Sequence, residues 1–367
     1  MSRSPTRSRQ SPPERMLRAD VRATRAWGAA SVAVCAGLVT AACGTSPSAS
    51  VQVPAPSPPA SSSPSPAPSP ADQPLAPLTG LPTQPSIAAR PAVALVLAGA
   101  QPRGLSDADI IYEEITSTLR YVAVFQSRQA SAVGPITGTL PGDGQELSVL
   151  RPLIGYDGGT ASFIHVLDHT NVVDLGSGTH GWLYQHGPNG PTTSPQDLWK
   201  AARSSAPPPL LAYRGPQTGS QALATTGQSR PSSLTIQLPG HGTQKWIFDS
   251  HGDQWQQVSD GTPIAVANLI VQIVSYKDVF LSRRYGLTEP SARVIGKGSA
   301  EAFSGIADSA ARGPGGLAAS GKWSKPGLRY VTDYVDAQGF PMHFQPGTTL
   351  VILAPGGTRI HTAGATP

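Results

Sequence analysis

Apolar and polar positions in this 367-residue chain change period partway along, and the change divides the chain into two halves of different character. Arg90-Pro-Ala-Val-Ala-Leu-Val-Leu-Ala98 is continuously apolar over strand length, which predicts a buried strand. A turn at Gly104-Leu-Ser-Asp-Ala-Asp109 leads into Ile110-Ile-Tyr112, and Leu119-Arg-Tyr-Val-Ala-Val-Phe125 has the β-branched and aromatic content of the next strand. After a turn at Gly134-Pro135, residues 142 to 153 place Leu147, Leu150 and Leu153 at threefold spacing, which predicts a helix. The pattern from Ser162 to Leu175 leaves helix and strand open. Ser194 followed by Pro195 is a helix-start signal, giving a short helix over 195–203 that Pro207-Pro-Pro209 terminates.

Beyond a Gly/Ser/Gln-rich stretch from Gly215 to Pro231 the period turns to that of strands. These are predicted over 233–238, 245–248, 255–258, 268–275, 292–295, 329–335 and 349–353, with turns at Ser250-His-Gly-Asp253, Ser259-Asp-Gly-Thr262 and Asp336-Ala-Gln-Gly339. Residues 307–316 read as a loop insertion. The fold class is therefore α+β or mixed α/β for the N-terminal domain, followed by a β-rich C-terminal domain.

Composition changes most at the N-terminus. An Arg-bearing segment precedes the apolar run Trp27 to Val39, which ends in Thr40-Ala-Ala-Cys43-Gly44. A charged region, a short apolar region and small residues before a cysteine form a secretory signal whose Cys43 would be lipidated after cleavage, giving a palmitate-bearing lipoprotein. A plain signal peptide cut near Ala42 is the alternative. The apolar run is shorter than the roughly 20 residues a membrane span needs. Both Met1 and Met16 are candidate starts.

The leader carries seven Arg against Glu14 and Asp20, so of 27 basic and 22 acidic residues, 20 of each remain after Cys43. The pI near 9.3 therefore belongs mostly to the leader and gives no ground for nucleic-acid binding. Cys35 and Cys43 are the two cysteines. Beyond them thiol catalysis, cysteine metal sites and disulfides are excluded. From Gly44 to about Asp72 the chain is Ser, Pro and Ala with little else, a spacer rather than a core-forming segment. The expected organisation is a signal over 1–43, a disordered tether over 44–74, a first domain over 75–215, a linker over 216–232, a second domain over 233–356 and a tail over 357–367.

Three segments of the first half, Gly104-Leu-Ser-Asp-Ala-Asp-Ile-Ile-Tyr-Glu113, Leu119-Arg-Tyr-Val-Ala-Val-Phe-Gln126 and Val133-Gly-Pro-Ile136, resemble the N-terminal domain of the YerB-type bacterial lipoproteins. Ala267-Asn-Leu-Ile-Val-Gln-Ile273, Gly296-Lys-Gly-Ser299, Gly321-Lys-Trp323 and Pro346-Gly-Thr-Thr-Leu-Val-Ile-Leu353 resemble that family's C-terminal domain. The resemblance implies a two-domain cell-envelope lipoprotein and no established reaction. Two departures stand out: Leu97-Ala-Gly-Ala100 replaces the family's Asp-Asn pair, and Ile136-Thr-Gly-Thr-Leu140 replaces its Ser-Ala-Arg segment.

Candidate chemistry is sparse. Asp107, Asp109, Glu113 and Glu114 form an acidic cluster of the kind that does acid–base work in glycoside hydrolysis, with Arg120 as a cross-strand partner for Glu113. Asp157-Gly-Gly159 lies at a strand end beside Tyr156 and could line a pocket. His165 and His169 share a helical face at i, i+4, yet no Glu follows His165, so the metalloprotease motif is missing and no metal or cofactor is assigned. Trp182, Tyr184 and Trp199 are candidates for stacking on sugars, against burial in the core. No nucleophile elbow, phosphate loop or dinucleotide fingerprint occurs in context.

These observations point to a lipid-anchored protein on the extracytoplasmic face of the cell membrane. It would bind a glycan, a peptide or another envelope protein without catalysis, at a site drawn from Asp107, Asp109, Glu113, Arg120, Asp157 and His165. The alternative is a cell-wall glycan hydrolase using paired carboxylates near Asp107 to Glu114.

Overall fold

The structure is a computed structural model that describes residues 73–214, 230–259, 263–305 and 315–364. The signal, Cys43, nearly all of the tether and most of the 216–232 linker and 307–316 loop lie outside the described residues.

In the N-terminal half, β1 (Val93–Ala98), β2 (Ile110–Ile115) and β3 (Leu119–Phe125) form where the apolar runs predict them. A short helix α1 (Pro85–Ala88) precedes them. The 142–153 segment is not one helix. Helix α2 (Pro141–Leu147) gives way to a 3₁₀ turn over Ser148–Leu150, Arg151 turns left-handed at φ 49°, and β4 (Leu153–Gly155) follows. The open segment divides into helix α3 (Ala161–Asp168) and strand β5 (Val173–Asp174). Next come α4 (Ser177–His180), β6 (Gln185–Gly187), β7 (Gly190–Thr192) and α5 (Pro195–Ala201). The Ser194 hydroxyl accepts the Asp197 N–H at 3.2 Å and caps α5, as the Ser-Pro pair predicts.

The C-terminal half supplies β8 (Ser233–Leu238), β9 (Gly242–Asp249), β10 (Gln254–Gln257), β11 (Ala265–Val266), β12 (Asn268–Ser282), β13 (Leu287–Arg293), β14 (Gly296–Ser304), β15 (Leu317–Lys325), β16 (Asp333–Asp336), β17 (Thr349–Pro355) and β18 (Arg359–Ala363). Three differences from the sequence expectation matter. The 268–275 strand runs on to Ser282, the family-like segments at 296–299 and 321–323 lie inside full strands, and residues 359–363 of the expected tail form a strand.

Eleven of these strands join one mixed sheet in the order β16-β15-β14-β12-β17-β2-β3-β1-β4-β5, with β13 paired to β12. The halves meet inside it, where β17 runs parallel to β2 from Thr349 opposite Ile110 to Leu353 opposite Glu114. The described residues accordingly fall within one compact unit.

Side-chain alternation divides the sheet's residues between two cores. Val96, Ile110, Tyr112, Val122, Val124, Val351 and Leu353 face α2 and α3, with Leu147, Leu150 and Leu167 packed on them. Leu95, Ile111, Tyr121, Phe125, Leu350 and Ile352 face the other way. There a second sheet, β11-β10-β9-β8-β18, covers part of the face with the fully buried Trp246 and Trp255. Among the described residues no helix is long and apolar enough to cross a membrane.

Candidate functional site

The acidic cluster does not form a site, because strand geometry and local turns send its members in different directions. Asp109 is fully buried just before β2. Its carboxylate accepts the Gln126, Ser127 and Arg128 backbone N–H groups and the Ser127 hydroxyl, so it shapes the turn that leaves β3. Asp107 lies on the 3₁₀ turn before it, half-buried. Glu113 and Glu114 are consecutive on β2 and therefore point to opposite faces.

Glu114 lies on the helix-covered face, directly across the ladder from Arg120. The buried Arg120 guanidinium binds both the Glu114 carboxylate and the Asp143 carboxylate of α2. Asp143 also accepts the Leu140 N–H at 2.8 Å and the Thr139 hydroxyl at 2.9 Å, closing the first turn of its helix. Nearby, the fully buried Lys325 ammonium donates to the Glu146 carbonyl at 2.9 Å and lies 3.7 Å from its Oε1. The crevice between Tyr112, Glu114, Asp143, Glu146 and Leu353 is too small to hold a water molecule. This is a sealed ion network, and the ion pair expected between Glu113 and Arg120 is in fact made by Glu114.

Glu113, on the other face, is also fully buried. One carboxyl oxygen accepts from the Gln244 side chain of β9, and the other has no hydrogen-bond partner. Burial pushes its pKa up to about 7, with the Gln244 hydrogen bond opposing. Paired, solvent-open carboxylates, which a hydrolase of the expected kind needs, are therefore not present around residues 107–114.

His165 and His169 do share a face of α3, with their Nε2 atoms 3.2 Å apart. His165 is exposed, and Asp168 lies 3.5 Å from its Nδ1. Among the described residues no third His, Cys, Asp or Glu joins a pair to make a metal-holding group.

Asp157 is the sequence candidate that lies on an accessible, polar part of the molecule. Strands β1, β4 and β5 run parallel, and their carboxyl ends open onto one rim, the place where open α/β sheets usually take ligands. The rim is built from four segments. Thr137 N–H reaches back to the Val96 carbonyl at 2.9 Å, and Asp157 N–H to the Thr137 carbonyl at 2.9 Å. Gly138 lies against Gly158 and Gly159 so closely that a Cβ on it would come within 3.2 Å of their backbone. Both of those glycines have positive φ, at 88° and 125°, so the turn after β4 depends on residues without side chains.

Around this turn the Ser177 hydroxyl donates to Asp157, and the Thr179 hydroxyl lies 2.9 Å from His180 Nδ1. The Trp182 ring follows, 6.5 Å from the His180 ring and 71% exposed. Asp174 braces the rim from below by accepting the Tyr156 hydroxyl and the Gly176 N–H, both at 2.8 Å. Of the three aromatics read from the sequence, Tyr184 is buried with its hydroxyl donating to the Leu175 carbonyl at 2.6 Å. Trp199 donates to the Pro91 carbonyl beneath the Arg90 guanidinium. Trp182 alone of the three presents its ring to solvent. Ser177, Thr179 and His180 had no motif to single them out; the sequence signal that could have found them is the Gly176/Gly178/Gly181 spacing of a polar loop at a strand end.

Profiles of a protein family of unknown function match the chain twice, its N-terminal domain (DUF3048) over residues 78–208 and its C-terminal domain over residues 240–351. The chain belongs to this family. The DUF3048 chain is also similar to the crystal structure of the YerB protein from Bacillus subtilis, at 19% identity and a TM-score of 0.62, covering 79% of this chain and all of that one. That likeness shows the fold. A search among curated proteins finds no relative. Leu97–Ala100 and Ile136–Leu140 both contribute to this rim, since Leu97 and Ile136 bridge each other and Thr137 abuts Asp157.

Proposed function

We propose that this protein is a lipid-anchored, extracytoplasmic binding module for an envelope glycan, held through Cys43 and engaging its ligand on the rim around Trp182 without turning it over. The observation that carries the reading is the solvent-facing Trp182 ring, next to the His180 ring on the same rim segment that holds the Ser177–Asp157 and Thr179–His180 contacts. A large exposed ring with a few polar groups at its edge suits a sugar, whose C–H face stacks on the ring while its hydroxyls meet carboxylate, hydroxyl and imidazole. The sealed ion network supports a binding role over hydrolysis, because Glu114, Asp143 and Arg120 neutralise one another out of reach of a substrate. Retention on purified cell-wall glycan tests the reading. Trp182→Ala should lower retention at least tenfold with an unchanged melting temperature, since the ring is exposed. Unchanged retention would rule the rim out. The anchor is tested separately: Cys43→Ala should move the protein out of the membrane fraction.

A further inference from the structure

Strand β12 outruns the main sheet. Its residues 268–272 pair with β14 and 268–274 with β17, whereas residues 275–282 pair with β13 alone. The resulting arm is fixed along its length: the Ser291 hydroxyl accepts the Gly142 N–H at 3.2 Å, and nearer the turn Glu289, opposite Val279, accepts the Ser117 N–H at 2.6 Å and the Ser117 hydroxyl at 2.8 Å. Its tip is a concentration of exposed apolar side chains: Phe280, Leu281, Tyr285 and Leu287 are 46, 38, 70 and 56% exposed. Arg283 and Arg284 stand among them, 5.1 Å from the Phe280 ring and 5.5 Å from the Tyr285 ring respectively. Residues 279–288 contain no acidic side chain.

We propose that this tip docks on an anionic phospholipid surface. Three features select that occupant. The turn end of the arm, residues 280–288, carries Arg283 and Arg284 and no carboxylate, with Asp278 and Glu289 behind it and Glu289 engaged by Ser117. Its positive charge is complementary to phosphate headgroups, which guanidinium groups bind in a bidentate fashion. Its apolar groups are aromatic and leucine side chains with cationic heads beside them, the mixture that settles at a membrane–water boundary while the charged ends stay among headgroups. The apolar groups also lie on both faces of the ribbon. Phe280 is opposite Thr288 and Leu287 is opposite Ser282, so Phe280 and Leu287 point to opposite sides. A groove on a protein partner would cover one face and leave the other in water, whereas a lipid surface takes the tip from all sides. The proposal deepens the membrane placement read from Cys43 but does not need the lipid on that residue, and a tethered body would use a weak second contact at high effective concentration.

The test uses the full-length chain with Cys35→Ser, Cys43→Ser and Tyr285→Cys, labelled at residue 285 with an environment-sensitive fluorophore. Vesicles of phosphatidylglycerol and phosphatidylcholine should shift its emission to the blue, and brominated acyl chains should quench it. Phosphatidylcholine vesicles should do neither. A probe carried instead by His361→Cys on β18 should not respond. Arg283→Glu with Arg284→Glu should weaken vesicle binding roughly tenfold or more while leaving the melting temperature unchanged. No response at residue 285, an equal response to uncharged vesicles, an equal response at residue 361, or a shift that depends on protein concentration without lipid would each overturn the proposal, the last by pointing to a second copy of the chain. Because residue 43 is Ser throughout, failure here is separable from failure of the Cys43 anchor, which membrane fractionation of Cys43→Ala reads.

Discussion

The Glu113 side chain of β2 accepts a hydrogen bond from the Gln244 side chain of β9, so a buried carboxyl links the main sheet to the second sheet. Its other oxygen is unpaired, and directly across the ladder Tyr121 buries its own hydroxyl without a hydrogen-bond partner. Charging this carboxyl would put an uncompensated anion in a dry layer, which is why burial pushes its pKa from 4.5 up to about 7.

Stability should therefore depend on pH through this residue. The folded state holds the Glu113 proton more tightly than the unfolded chain, so its contribution is full below about 4.5, falls as pH rises, and is lost above about 7. A displacement of that size corresponds to roughly 3 kcal/mol. Glu113→Gln keeps an amide oxygen for Gln244 and cannot ionise. Urea unfolding of the two proteins between pH 4.5 and 8 should show the natural protein losing stability relative to the variant across this window. Parallel curves would mean that Glu113 titrates as it does in water.

Arg120 should behave as the centre of its network. Arg120→Met leaves the Glu114 and Asp143 carboxylates buried without their cation and should cost about 3–5 kcal/mol. Adding Asp143→Asn to Arg120→Met should cost far less than the two single changes together, because the second change removes a charge that the first left uncompensated. Additive costs in a double-mutant cycle would show that the two groups do not interact.

The sequence was readable where periodicity and burial coincide and opaque where small residues do structural work. The runs at 93–98, 110–115 and 119–125 are strands because both cores need their apolar side chains, and the near-continuous apolar runs report that need. Gly296-Lys-Gly-Ser299 carries no such pattern, yet it lies inside β14. There Gly298 lets the Trp323 indole pass over the strand and donate to the Ile273 carbonyl at 2.9 Å, and a Cβ would come within 2.6 Å of that carbonyl. Asp109, Glu113 and Arg120 were legible as charged positions in a strand region, but their partners Ser127, Gln244 and Asp143 come from other elements, and sequence spacing carries no trace of such contacts. On the rim, Asp157 and Trp182 showed themselves by residue type. Their placement on segments that follow the parallel strands β4 and β5 becomes visible only in the fold.

Gly176 should prove intolerant of any side chain. Its φ of −61° is ordinary, so backbone strain is not the reason. A Cβ would instead press into the Tyr156 ring, within 2.7 Å of Cε2. Tyr156 is held there by its hydrogen bond to Asp174, so the ring cannot swing away without losing that contact. Gly176→Ala should therefore destabilise by about 1–3 kcal/mol and disturb the Ser177–Trp182 segment. In Gly176→Ala combined with Tyr156→Phe the hydroxyl no longer ties the ring, and part of the loss should return. Thermal unfolding of the single and double variants checks this, and a Gly176→Ala protein as stable as the natural one would show that the rim relaxes at no cost.

The last strand is part of the fold, and its removal should be costly. Residues 359–363 pair antiparallel with β8, from Arg359 opposite Gln237 to Ala363 opposite Ser233, and Ile360 packs half-buried against the core beneath. Without them β8 becomes the edge of the second sheet. Its sequence Ser-Leu-Thr-Ile-Gln-Leu has no charge and no proline, so nothing in it would deter pairing with another chain. Arg359 and the exposed His361 on β18 supply polar cover that the edge would then lack. Ending the chain after Gly357 removes the Ile360 packing and a ladder of backbone hydrogen bonds, which together contribute about 2–4 kcal/mol. The truncated protein should unfold at lower urea concentration, with increased light scattering at micromolar concentration. Placing a lysine at Thr235, a half-buried position of the newly exposed edge, should reduce the scattering without restoring the urea midpoint, because charge deters association and does not replace the lost packing. An unchanged midpoint in the truncated protein would mean that the second sheet closes at β8 and that β18 only decorates it.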